Sequence, residues 1–146
     1  MLEAQGFKKL VAWKKPDDLA SAVFRAAQVL APEHRWLATQ VSRVAVSVPA
    51  NIAEGYGRGS QAEYLRFLDI ARGSLGEVEY YIHFLAREGL IDDVTNRKLV
   101  LTHSEAGKVL HGLWRGLKTK LLATWDHAGT PPRIREITLD SYEADL

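Results

Sequence analysis

The stretch LATQVSRVAVSVPANIAEGYGRGS, residues 37–60, decides the fold. Leu37, Val41, Val44, Val48 and Ile52 recur at spacings of three and four, which puts them on one face of a helix expected from about 34 to 54. Pro49 falls inside that run, removes one backbone donor and predicts a kink near Val46–Pro49. The run then gives way to Gly55-Tyr-Gly-Arg-Gly-Ser60, a connection in which the chain can reverse. Ser60 is a suitable N-cap and Glu63 stands at the capping-box position three residues on. A second stripe follows: Tyr64 and Phe67 open it, and Leu68, Ala71, Leu75, Val78, Ile82 and Leu85 carry it to about Glu88, with Gly89 as the residue that ends the helix. Two amphipathic helices joined by a short turn form an antiparallel hairpin, and each apolar stripe needs a further surface to cover it.

The flanking sequence supplies that surface. Pro16, Asp17 and Asp18 suit a first helical turn, and Leu19, Val23, Ala26 and Leu30 continue as a stripe until Ala31-Pro32 stops it, giving a helix over 16–31. Leu99, Thr102, Ala106, Leu110, Leu113, Leu117 and Leu121 predict a long helix over 92–124. Its far end, where Arg115, Lys118 and Lys120 sit beside Trp114 and Trp125, is expected to project or to pack on another subunit. Gly73 and Gly76 in mid-helix each cost about 1 kcal/mol relative to alanine and predict the close passage of another helix. The expected fold is all-α: an antiparallel up-down-up-down four-helix bundle over residues 1–125, with a C-terminal acidic tail over 126–146. Within the tail Gly129, Pro131 and Pro132 break periodicity, while alternating Ile134, Ile137 and Leu139 suit a short strand or a docked arm.

Composition bounds the chemistry. The chain has 146 residues, 47% hydrophobic and 25% charged, which suits one ordinary domain. It contains no cysteine, excluding a disulfide scaffold, a thiol nucleophile and any Cys-ligated metal. The N-terminus lacks the apolar core of a secretory signal, and no apolar run is long enough to span a membrane, so a cytoplasmic protein is expected. Residues 1–125 hold 17 bases and 13 acids, a surplus of +4, whereas 126–146 hold two bases and five acids, a balance of −3. A basic body with an acidic tail is compatible with nucleic acid without being diagnostic of it.

Catalytic constellations do not assemble. Among His34, His83, His103, His111 and His127 no metal-binding pair stands at helical spacing beyond Glu79 and His83, and the histidines read as surface or interfacial residues. The glycine loop lacks the Lys-Ser/Thr of a phosphate loop and has no preceding strand. Ser42, Ser47, Ser60 and Ser74 have no base-plus-orienter pattern, so the chain is expected to be no enzyme and to carry no metal or cofactor. The hairpin register places Arg43 near Arg72–Glu77. Arg43 with Glu77 is therefore expected to form a partly buried ion pair that fixes register, with Asn51 and Glu54 securing the turn.

The segment from Arg43 through Ser47, Pro49, Asn51, Glu54 and Gly55 to Arg58, followed by Ala71-Arg-Gly73-Ser74-Leu75-Gly-Glu77, resembles the four-helix-bundle proteins encoded in intervening sequences of bacterial large-subunit rRNA genes. It is also similar to the accessory variability proteins of diversity-generating retroelements. The family pattern reads approximately RA-x-S-I-P-x-N-I-A-E-G-x-G-R and then A-x-G-S-L-x-E, with Val48 here in place of isoleucine; Phe7, Leu10 and Trp13 match a further opening motif, and the resemblance covers about residues 7–122. It implies a ring-like homopentamer around a central channel, association with RNA or DNA and, in the retroelement branch, a reverse-transcriptase partner. Two readings follow. In one, the chain is a nucleic-acid-binding scaffold acting on phosphates through Lys8, Lys9, Lys14, Lys15, Arg58, Arg66, Arg115, Lys118 and Lys120. In the other, it is a protein-interaction or self-assembly module with no nucleic-acid role.

Overall fold

The computed structural model describes residues 6–8 and 10–128, the side chains of 125–128 excepted. Four helices follow one another: α1 (Val11–Gln28), α2 (Arg35–Tyr56), α3 (Gln61–Arg87) and α4 (Asp93–Ala128), with a short 3-10 turn at Pro32–His34 between the first two. Each helix packs on its neighbours in the order α1–α2–α3–α4, and α4 closes back on α1. Among the described residues there is no strand. The tail beyond residue 128, including the expected strand or arm, lies outside the described residues.

The apolar stripes meet in one core. Leu19, Val41, Val48, Ile52, Leu68, Val78 and Leu110 are essentially inaccessible; burying a side chain of this size stabilises the fold by roughly 1.5–3 kcal/mol, an upper estimate because unfolded chains already hide some surface. Among the described residues no polar or charged residue is buried. Ser60 caps α3 as its position predicts, its hydroxyl accepting from the Glu63 amide at 3.1 Å. Gly89 ends the same helix with a φ of 69°, the left-handed conformation that glycine adopts without steric cost.

Four expectations need correction. α1 begins at Val11 rather than at Pro16, which lies buried inside the helix. Its missing amide costs one helical bond near the first turn, while Trp13 packs on the core by continuing the helix upstream. The far end of α4 is not a bare projection: Trp114 is 3% exposed and Leu113, Leu117 and Leu121 pack on the core. Gly73 and Gly76 face open space, and a Cβ at either would meet nothing within 4 Å. The close approach is at Gly55, where a Cβ would stand 2.7 Å from Phe67 Cβ and 2.8 Å from Tyr64 Cδ2. Finally, Arg43 and Glu77 are both exposed and form no ion pair with each other. The register was nearly right, since Ser47 and Ser74 hydrogen-bond across the hairpin at 2.8 Å, but the two charges point outward from it.

Candidate nucleic-acid interface

The up-down-up-down path brings the start of α1, the end of α2, the start of α3 and the end of α4 to the same end of the bundle. Three contacts fix the levels: Ser47 with Ser74 between α2 and α3, Asp69 with Trp114 between α3 and α4, and Lys15 with Glu105 between α1 and α4. This topology carries most of the bases singled out by sequence toward that end. Lys8, Lys14, Arg115 and Lys120 are exposed there. Lys15 lies furthest toward the middle and pairs with Glu105 at 3.7 Å. Lys9 lies outside the described residues.

Arg58 and Arg66 both lie over the Phe67 ring, their guanidinium carbons 4.9 and 4.8 Å from its centroid. Arg58 also pairs with Glu54 one turn back, and Arg66 with Glu63 at 3.3 Å. All four charged side chains are about half exposed. Such surface pairs contribute at most about 1 kcal/mol, so an incoming phosphate competes for these arginines at little cost. The turn beneath them is closely packed. Gly55 lets α2 and α3 touch, Tyr56 and Tyr64 meet edge to face at 6.1 Å, and burial, aided by Tyr56, raises the Tyr64 hydroxyl pKa to about 12. Pro49 is buried without breaking α2, and Asn51 donates to the Ser47 carbonyl at 2.7 Å and hydroxyl at 3.1 Å, so Asn51 braces the α2–α3 seam rather than the turn itself.

The composition of the α3–α4 seam was not read from sequence. Trp114 donates its indole N–H to Asp69 at 2.7 Å. Arg72 lies over the same indole at 3.9 Å, and Lys118 stands 4.7 Å from its centre. Asp69 also accepts from Arg72 at 3.5 Å, and His111 stacks on Trp114 at 5.8 Å. Burial lowers the Lys118 pKa, with Arg72 adding to the effect and Asp69 opposing it. His111, expected at the surface, is half-buried; burial first, then Arg72 and Arg115, lower its pKa. His103 is likewise half-buried, with Nε2 2.8 Å from the Leu75 carbonyl. The available signal was the heptad position of Trp114, in phase with Leu110 and Leu117, which marks a core tryptophan needing a polar partner on the facing helix.

A four-helix bundle with arginines lying on aromatic rings along α3 is the class of protein defined by this arrangement. Residues 8–112 match the family described as 23S rRNA-intervening sequence protein, and the chain belongs to that family. A crystal structure of an S23 ribosomal protein family member from Bacteroides thetaiotaomicron shares the fold, with a TM-score of 0.67 and 24% identity over 72% of this chain and 96% of the other. No curated protein matches the chain. Among the described residues no helix is long and apolar enough to cross a membrane.

Proposed function

We propose that this protein is a non-enzymatic, nucleic-acid-associated scaffold of the cytoplasm that engages the phosphate backbone of RNA or DNA through the basic end of its bundle. The observation that supports this most is the gathering of Lys8, Lys14, Arg58, Arg66, Arg115, Lys118 and Lys120 at the end where α2 turns into α3 and α4 finishes. Membership in a family described by an rRNA intervening sequence favours RNA. Contacts to phosphates need charge rather than base-reading side chains, so binding is sequence-tolerant and weakens steeply with salt. A homopentameric ring, taken from the family resemblance, would repeat the basic end around one assembly. A reverse-transcriptase partner belongs to this reading only for the retroelement branch.

A second reading, self-assembly or protein docking without nucleic acid, is favoured by the apolar side chains left exposed: Val29, Trp36, Val94 and Leu101 are 81, 67, 69 and 62% exposed. Titration by fluorescence anisotropy at low salt separates the two. Full-length protein is expected to bind labelled RNA. Removing residues 127–146, which carry four acids and two bases, is expected to tighten binding. If neither form binds, the protein-interaction reading replaces this one. Light scattering tests the ring, and a monomer at micromolar concentration rejects it.

A further inference from the structure

We propose that the outer face of α4 around Leu101 is a two-fold contact with a second copy of this chain, α4 lying antiparallel on its mate. α4 turns Leu99, Ala106 and Leu110 into the core, yet its opposite face is apolar as well. Val94, Val100 and Leu101 are 69, 52 and 62% exposed, three of the eleven large hydrophobic side chains left exposed among the described residues. Scattered singly, such residues need no explanation; here they fall within eight consecutive positions. Val94 and Leu101 are two turns apart and share one line along the helix. Val100 flanks that line, edging the groove toward Glu79 and His83 of α3. α1 and α3 lie to either side and leave the line itself uncovered.

The charges beside that line select the partner and its direction. Lys98 and Glu105 stand on the α1 flank: Lys98 lines the groove toward Ala22 and Arg25, and Glu105 pairs with Lys15 at 3.7 Å. A two-fold axis through Leu101, perpendicular to α4, keeps each flank on the same side while reversing the chain. Lys98, three residues before Leu101, then meets Glu105 of the partner subunit, four residues after it, and the symmetry repeats the pair. Lys98 forms no ion pair among the described residues. The Lys15–Glu105 pair is exposed and too weak to withhold Glu105 from a second cation. Val94 meets the stem of the partner's Lys108, whose ammonium reaches toward Asp93. A parallel arrangement instead sets Lys98 on the partner's Lys98 and Glu105 on the partner's Glu105, which repel. One helix on one helix buries less than the ~800 Å² per partner of a standard interface, so the pairing is reversible and concentration-dependent. Being isologous, it differs from the head-to-tail contacts that close a ring. It leaves Arg58 and Arg66 at the α2–α3 turn untouched, so it stands with or without nucleic-acid binding.

The chain contains no cysteine, so an introduced thiol reports the contact. With helix axes ~8–10 Å apart and Cα atoms ~2.3 Å from each axis, the two copies of residue 101 bring their Cα atoms to about 4–6 Å, within disulfide reach. The two copies of residue 94 stand about 20 Å apart. Full-length Leu101→Cys, Val94→Cys and Thr39→Cys, the last at an exposed position on α2, are held at micromolar concentration with oxidised glutathione. Denaturing, non-reducing gels then follow the covalent dimer. Leu101→Cys is expected to form it at least tenfold faster than either of the others. Val94→Cys combined with Lys108→Cys is expected to cross-link where neither does alone. In the Leu101→Cys background, Lys98→Glu is expected to slow cross-linking at least fivefold, and adding Glu105→Lys to restore it. Equal rates for the three single variants report random collision and overturn the contact. Cross-linking of Val94→Cys as fast as that of Leu101→Cys reports a parallel pairing and overturns the proposal as stated. If Leu101→Cys loses its helical circular dichroism, the combined Val94→Cys and Lys108→Cys variant decides alone, and the absence of a cross-link there overturns the proposal.

Discussion

The two ends of the bundle are built from the same helices and differ in what their side chains do. At the α2–α3 end, cations lie over aromatic rings: Arg58 and Arg66 on Phe67, and further along Arg72 and Lys118 on Trp114. At the α1–α2 and α3–α4 end, Asp92 caps α4 by accepting from the Thr95 amide at 2.7 Å, a bond that lowers its carboxyl pKa. Glu88 and Asp93 lie close by, and Val29, Trp36 and Val94 are exposed beside mixed charges. Cations stand at both ends, but Phe67 and Trp114 each carry two of them, whereas at the other end Phe84 carries Arg87 at 5.4 Å and Arg25, Arg35 and Arg97 stand exposed among acids. The proposed phosphate contacts turn on that contrast.

The tryptophans at the two ends give the largest expected effect. Trp114→Ala empties a core position and removes the indole donor to Asp69, so a loss of about 3–5 kcal/mol is expected. Trp36→Ala, at a side chain 67% exposed, should stay within about 0.5 kcal/mol. Urea melts of the two variants check this, and equal losses would place Trp36 in a buried contact between subunits.

The two turn glycines come next. Gly55→Ala is expected to cost about 1–3 kcal/mol, because the new methyl meets Phe67 and Tyr64 and forces α2 from α3. Gly89→Ala has open space and only the strain of a positive φ, so about 1 kcal/mol is expected. Gly73→Ala, in an ordinary exposed helix position, should instead stabilise by up to about 1 kcal/mol. Thermal melts rank the three.

Smaller effects concern charge. Arg43→Ala and Glu77→Ala are expected to melt within about 0.5 kcal/mol of wild type, since both side chains are exposed and unpaired with each other. The pH dependence of stability should carry a modest His111 component. Its folded pKa lies below the unfolded value near ~6.5, so the unfolded chain takes up the proton first. Stability is then full above that value and declines as pH falls from about 6.5 to the folded pKa. The groups facing His111 are Arg72 and Asp69 on α3 with Arg115 on its own helix. Comparing Tm against pH for wild type and His111→Gln checks the sign, and a variant with the steeper acid loss contradicts it.

What could be read in the sequence was what depends on near neighbours along the chain. The stripes gave four helices, Ser60 its cap and Gly89 its ending, because periodicity and capping act within a turn or two. Pro16 misled because proline suits a helix start so well that its burial inside α1 leaves no local trace. Arg43 and Glu77 were placed at nearly the right level, yet level is not facing: their rotation about each helix axis turns both outward. Gly73 and Gly76 look the same in sequence as Gly55, and only the facing helix distinguishes a glycine that must be small from one that merely is. Each basic residue is visible in the sequence, but the end of the bundle that it reaches depends on helix direction and length. The seam of Asp69, Arg72, His111 and Trp114 joins residues more than 40 positions apart, beyond any local signal.

If phosphates are met at the basic end, matched neutralisation of the two ends will separate them. One variant replaces Arg58, Arg66 and Lys120 with glutamine; the other replaces Arg25, Arg35 and Arg97, all six residues being exposed. Each change removes three charges, so differences report position rather than net charge. Affinity for single-stranded RNA is measured across a salt series. The first variant is expected to bind at least tenfold more weakly near ~0.1 M salt and to flatten the logarithmic salt slope by about 2, since each lost contact removes roughly 0.7. The second should keep the wild-type slope. Equal slopes in the two variants, or a larger loss from the second, would contradict the account.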